Sequence, residues 1–111
     1  MIIYVDIDDT ICRRGKPNSD TNSDIHSHLD YKNSIPYKNR IYKINHLYDE
    51  GHIIVYWTAR GSLTNINWFN TTYKQLTEWG CKFNELRMGK PVYDVLIDDK
   101  AFNTVEDFLD M

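Results

Sequence analysis

Apolar runs recur along this chain, and each ends in polar residues of a different character. The first, Ile2, Ile3, Tyr4 and Val5, is uninterrupted and rich in β-branched side chains, so it reads as a strand buried on both faces of a parallel sheet. It runs directly into Asp6, Asp8, Asp9 and Thr10. The pattern then breaks at Arg13, Arg14, Gly15, Lys16 and Pro17, and a polar stretch rich in Asn, Asp and Ser follows; residues 13–34 read as a long loop or flap. Pro36 suits a first helical turn, Ile41, Ile44, Leu47 and Tyr48 recur at helical spacing, and Gly51 supplies a stop, which predicts a helix over 36–50. A second apolar run predicts a strand over 53–57 ending in Thr58-Ala59-Arg60-Gly61. A second helix is expected over 65–79, with Trp68, Phe69, Thr72, Tyr73, Leu76 and Trp79 on a broad face and Gly80 as its end. Residues 86–88 read as a short strand, Gly89-Lys90-Pro91 as a turn, and 92–97 as a fourth strand entering Asp98-Asp99-Lys100; a short helix over 104–109 closes the chain. Strands alternating with helices imply an α/β fold with a parallel sheet and right-handed crossovers.

Composition narrows this picture in a few places. A length of 111 residues suits one domain. A formal net charge of −3, with no block of basic residues, makes nucleic acid an unlikely partner but leaves room for a small anionic substrate. Cys12 and Cys81 are far apart and lack Cys-x-x-Cys spacing, so neither a disulfide framework nor a zinc site is expected, and Cys12 reads as a buried structural thiol. With no signal-peptide pattern before the first strand and no apolar run of the ~20 residues that span a bilayer, the expected location is cytoplasmic, with no membrane partner. His26 and His28 read as exposed loop residues ahead of metal ligands.

The acids after the first strand pose an electrostatic problem. Two like charges about 4 Å apart repel by roughly 1 kcal/mol in water and by more at lower dielectric, so a positive group is expected among them. A buried strand that ends in alternating carboxylates at the edge where open α/β sheets bind ligands points to a cation or a reaction. Asp9 and Thr10 fit a turn as well as chemistry. Taken singly, Thr58 reads equally well as a cap, Lys90 as a solvated turn residue, and Arg60 as an exposed structural one.

Taken together, these groups resemble the haloacid dehalogenase superfamily of phosphohydrolases. Its D-x-D-x-T opening is matched by Asp6-Ile7-Asp8-Asp9-Thr10, its strand-ending Thr or Ser by Thr58, its Lys by Lys90 (Lys82 being the weaker candidate), and its acidic pair by Asp98-Asp99. The Asp-Ile-Asp-Asp-Thr-Ile-Cys opening, the Gly-Lys-Pro turn and Ile-Asp-Asp narrow the resemblance to small capless phosphatases of capsule and polysaccharide synthesis. The resemblance implies a Rossmann-like three-layer α/β/α fold with sheet order 4-1-2-3 and no large cap domain. It implies a phosphomonoesterase in which Asp6 is the nucleophile, Asp8 the general acid and base, Thr58 and Lys90 the phosphate-binding groups, and Asp6, Asp8, Asp98 and Asp99 the ligands of Mg²⁺. A small phosphorylated substrate, a sugar phosphate or nucleotide, is then expected. A polynucleotide end phosphatase and a non-catalytic receiver-like switch are the alternatives. Without a cap, the site is open unless residues 13–34 or a neighbouring copy covers it, and the aromatic helix leaves surface for a homo-oligomer.

Overall fold

Residues Ile53–Trp57 form the middle strand of the sheet and organise the computed structural model, which describes residues 1–14 and 31–110. In chain order the elements are β1 (Ile2–Asp6), β2 (Cys12–Arg13), β3 (Ile35–Pro36), α1 (Lys38–Asp49), β4 (Ile53–Trp57), α2 (Phe69–Glu78), β5 (Glu85–Arg87) and α3 (Val105–Leu109). The main sheet is parallel with order β1-β4-β5. Its register pairs Asp6 with Trp57 and Trp57 with Arg87, so all three strands end level. Whatever follows them is delivered to one edge. Among the described residues there is no cap domain, and no helix is long and apolar enough to cross a membrane.

Burial follows from this order. In β4, Ile54, Val55 and Tyr56 are all buried, as expected for a strand with neighbours on both sides. The core gathers Val5, Ile7 and Ile11 with Ile54 and Tyr56, Ile41, Ile44 and Leu47 of α1, Leu76 of α2, Leu86 of β5 and Val105 of α3. The expectation that the first strand is buried on both faces is corrected: Ile2 is 67% and Tyr4 46% exposed, and Val5 alone in β1 is buried. β1 lies at the edge of the described sheet, because residues 92–97 run as irregular backbone and not as a strand, with Ile97 95% exposed. An apolar run by itself does not say what lies beside it.

The helices stop where expected. After α1, Gly51 has φ +99°, its N–H bonds to the Tyr48 carbonyl and the His52 N–H to that of Leu47; after α2, Gly80 has φ +75°, with the matching bonds from Gly80 to Thr77 and Cys81 to Leu76. Both are Schellman ends, in which glycine takes the left-handed conformation at no steric cost. Helix starts differ from expectation. Pro36 belongs to β3, which pairs antiparallel with β2, and α1 begins only after Tyr37, whose N–H bonds to the Ile11 carbonyl at 2.8 Å. α2 begins at Phe69, not 65, since residues 61–67 are taken up by a tight loop. A Cβ at Gly61 (φ +81°) would overlap the Ile66 carbonyl oxygen, so that loop closes on glycine. At α3, Thr104 caps the helix by accepting from the Asp107 N–H at 3.0 Å.

Candidate active site

The level strand ends make a cleft of about 400 Å³ lined in part by Asp6, Asp8, Thr58, Arg60 and Lys90. The chain turns sharply after β1. The buried Ile7 carbonyl accepts from the N–H groups of Thr10 and Ile11, and Asp9 adopts φ +64° with its N–H bonded to the Cys12 carbonyl at 2.7 Å. Ile7 and Ile11 are fully buried, and Asp6 and Asp8, on either side of Ile7, both border the cleft while Ile7 points to the core. Asp9 is exposed and serves the turn.

Each of the two site carboxylates has its own cation. Lys90 Nζ lies 3.3 Å from Asp6 Oδ1, and Thr10 Oγ1 donates to Asp6 Oδ2 at 3.1 Å. The Lys90 ammonium is further fixed over the rings of Trp57 and Tyr93, at 5.6 and 5.5 Å from their centroids. Its backbone is tied to the end of β4: the Lys90 N–H donates to the Thr58 carbonyl at 3.0 Å, and the Thr58 N–H donates to the Arg87 carbonyl at 3.0 Å. Lys82, the weaker candidate, instead pairs with Asp49 at 2.8 Å and does not line the cleft.

Asp8 is held by Arg60, which from the sequence reads as an exposed structural residue. Arg60 is buried, with 0% of its side chain exposed. Its Nε donates to Asp8 Oδ2 at 3.0 Å and its Nη2 to Asp8 Oδ1 at 2.9 Å, a bidentate pair. Nη1 turns away and donates to Thr72 Oγ1 and Gln75 Oε1 of α2, while the guanidinium lies 4.8 Å from the Tyr31 ring centroid. The only sequence signal for it is its place two residues beyond Thr58, at a strand end that already carried one candidate group. Thr58 is itself buried, and its Oγ1 accepts from the Arg60 N–H at 3.1 Å, so both the capping role and the approach to the cleft are realised in one residue.

Cys12 is a buried thiol, as expected, 3.6 Å from Asp8 Oδ1. Burial, and then the neighbouring Asp8 carboxylate, push it up to about 12, so it stays protonated near neutrality and is no nucleophile. Asp98 and Asp99 are not brought to the cleft: both are exposed, and Asp98 Oδ1 accepts from the Lys100 N–H at 2.8 Å. Among the described residues, no group of three or more His, Cys, Asp or Glu side chains gathers to hold a metal ion. His26 and His28 lie outside the described residues. Of the expected flap, Arg14 and Tyr31 at its two described ends line the cleft.

No family model matches the chain, and no curated protein matches it. A solved structure does. The chain is similar to the crystal structure of a target protein from Vibrio cholerae, with a TM-score of 0.75 and 25% identity, over 99% of this chain and 88% of that one.

Chemically, the cleft offers a carboxylate at a strand end, a second carboxylate beside it, a lysine ammonium and a strand-end hydroxyl. Thr58 Oγ1 accepts from the Arg60 N–H, which leaves its own hydrogen to donate. That set suits a polar ligand better than an apolar one.

Proposed function

We propose that the chain is a phosphomonoester hydrolase of the haloacid dehalogenase type, a small capless form acting in the cytoplasm on a small phosphorylated metabolite such as a sugar phosphate or nucleotide. The observation that carries this reading is the convergence of Asp6, Asp8, Thr58 and Lys90 on one cleft at the carboxyl edge of a parallel sheet. Asp6 attacks phosphorus: an Asp6 O–P bond forms, the ester P–O bond breaks, and Asp8, entering the cycle in its acid form, gives its proton to the departing alcohol oxygen. Asp8 then takes a proton from the water that attacks the aspartyl-phosphate, which releases phosphate and restores Asp6. Lys90 and the Thr58 hydroxyl balance charge on the phosphoryl oxygens, the main demand of phosphoryl transfer.

Mg²⁺ is part of this proposal, and when bound it supplies further charge neutralisation at the phosphoryl group. Of its expected ligands, Asp6 and Asp8 share the cleft while Asp98 and Asp99 stand outside it, so the described residues do not complete a cation site and the steps above are assigned to the chain's own groups. The sheet order 4-1-2-3 is likewise proposed, with residues 92–97 adding to the outer edge of β1. Two facts support it: that edge carries no described strand, and the segment Val92-Tyr93-Asp94-Val95-Leu96-Ile97 is rich in strand-forming side chains that are exposed as described.

A panel of phosphate monoesters tests the reading. Wild-type protein is expected to hydrolyse at least one member with Mg²⁺ and to lose that activity when the metal is chelated. Asp6→Asn is expected to stay folded and to lose about a thousandfold or more in kcat. Near wild-type turnover by a clean preparation of that variant removes Asp6 as nucleophile; no turnover of any ester by the wild type overturns the reading as a whole.

A further inference from the structure

We propose that Arg60 is a positioning residue for proton transfer: it fixes the plane of the Asp8 carboxylate and so sets the efficiency with which Asp8 protonates the leaving alcohol. The inference rests on the phosphatase reading above, and goes beyond it by assigning a role to a residue and a helix outside the reacting groups.

A carboxylate at a strand end can turn about its terminal torsion, which presents its lone pairs over a broad range of directions. Asp8 does not have that freedom. The planar guanidinium meets both of its oxygens, at 3.0 and 2.9 Å, and a fork of that kind fixes the carboxylate in the guanidinium plane. Asp8 Oδ1 accepts from both Arg60 and the Cys12 thiol, whereas Oδ2 accepts from Arg60 alone and keeps a further lone-pair site; Asp8 borders the cleft, so the clamp orients the carboxylate and leaves Oδ2 as the place for a proton.

The clamp is itself held from three sides. Nη1 is anchored on Thr72 and Gln75 of α2, the Tyr31 ring packs against the guanidinium, and the Gln75 side-chain N–H donates to the Tyr31 carbonyl. Ser34 Oγ accepts a longer bond from Nη2 at 3.4 Å. Thr72 is fully buried and Gln75 is 8% exposed, which is unusual company for two polar residues on a helix face unless they meet a specific partner. Their partner is Arg60. The orientation of Asp8 is thereby referred to a helix, not to the loop that carries it.

A structural ion pair and a positioning clamp differ in what they do to different leaving groups. Departure of 4-nitrophenolate needs no proton, whereas departure of a primary alkoxide does, and kcat/KM reports the steps up to that departure. Arg60→Lys keeps the charge but loses the fork. Its kcat/KM is expected to fall for both a primary alkyl phosphate and 4-nitrophenyl phosphate, with the alkyl ester losing about 30-fold more, within the range that a misplaced general acid costs. Gln75→Leu, which leaves the Asp8 pair intact and removes one of the two anchors of the guanidinium on α2, is expected to shift the same ratio in the same direction by less, and it serves if Arg60→Lys does not fold. Equal losses on the two esters, or an unchanged ratio in both variants, overturn the proposal while leaving the phosphatase reading standing. A wild type that hydrolyses neither ester, nor any other of the panel, overturns both.

Discussion

Asp6 and Asp8 lie two residues apart, and each meets a different cation: Lys90 at 3.3 Å for Asp6 and Arg60 at 2.9 Å for Asp8. The need for positive charge was legible in the sequence, since three acids in four residues cannot crowd a strand end without it. Lys90 by itself reads as a solvated turn residue, and only the resemblance to the haloacid dehalogenase pattern pointed to it. Arg60 was not legible as a source of that charge, because an arginine beyond a strand is ordinarily a surface residue, and only the packing of Thr72 and Gln75 over it makes it a buried one. Cys12, beside the same carboxylate, yields a prediction of its own. Its thiol is raised from 9.0 to about 12, first by burial and then by Asp8. The folded state thus keeps a proton that the unfolded chain releases above pH 9. This contribution to stability is fully present below that pH and is lost as pH rises towards 12. The melting temperature is therefore expected to fall more steeply between about pH 8 and 10.5 in the wild type than in Cys12→Ala. Tyr56 and Cys81 are also pushed up by burial, but they are common to both proteins, so the difference between the curves isolates Cys12. Parallel curves would mean that Cys12 does not hold its proton in the folded state.

At the level of elements, strand β4 and both Schellman ends coincide with what apolar runs and glycines announce, because these signals are local: a β-branched run and a left-handed residue need no distant partner to be recognised. Helix starts are not local in this chain. α1 waits for Pro36 to pair within the β2-β3 ribbon, whose strands of two residues each are too short to carry a period, and α2 waits for the loop that closes on Gly61. The same distinction applies to the faces of α2. Helical spacing groups Phe69 and Tyr73 with Leu76, yet Phe69 and Tyr73 are exposed while Leu76 is fully buried in the shared core. Leu76→Ala is accordingly expected to destabilise the fold by about 3 kcal/mol in urea titrations, from lost transfer free energy and the cavity left behind. Lys74→Ala on the exposed side of the same helix should change stability by less than about 0.5 kcal/mol. Similar effects from the two substitutions would contradict the orientation of α2, and with it the seat of Arg60.

For the molecule as a whole, the proposed function turns on residues 92–97, since on them depends whether Asp98 and Asp99 join Asp6 and Asp8. Among the described residues, β1 shows the outer edge of a parallel sheet, and a segment of five apolar residues out of six follows the cleft-forming Lys90 closely in sequence without joining a strand ladder. Both features favour pairing: an open strand edge is a template for a further strand, and Val95 and Ile97 present large apolar side chains to solvent. Pairing the segment with β1 relieves both at once. Hydrogen exchange read on a peptide spanning 92–97 is expected to slow by at least about tenfold at roughly half its amides when Mg²⁺ and orthovanadate are added, because one edge of a strand bonds every second N–H. Protection that does not vary with protein concentration is the result expected of pairing within one chain. Protection that grows with concentration would assign the edge of β1 to a second copy, the homo-oligomer that an exposed strand edge also permits. Exchange at the free-chain rate under every condition would remove the fourth strand, and with it the route by which Asp98 and Asp99 could contribute to the site.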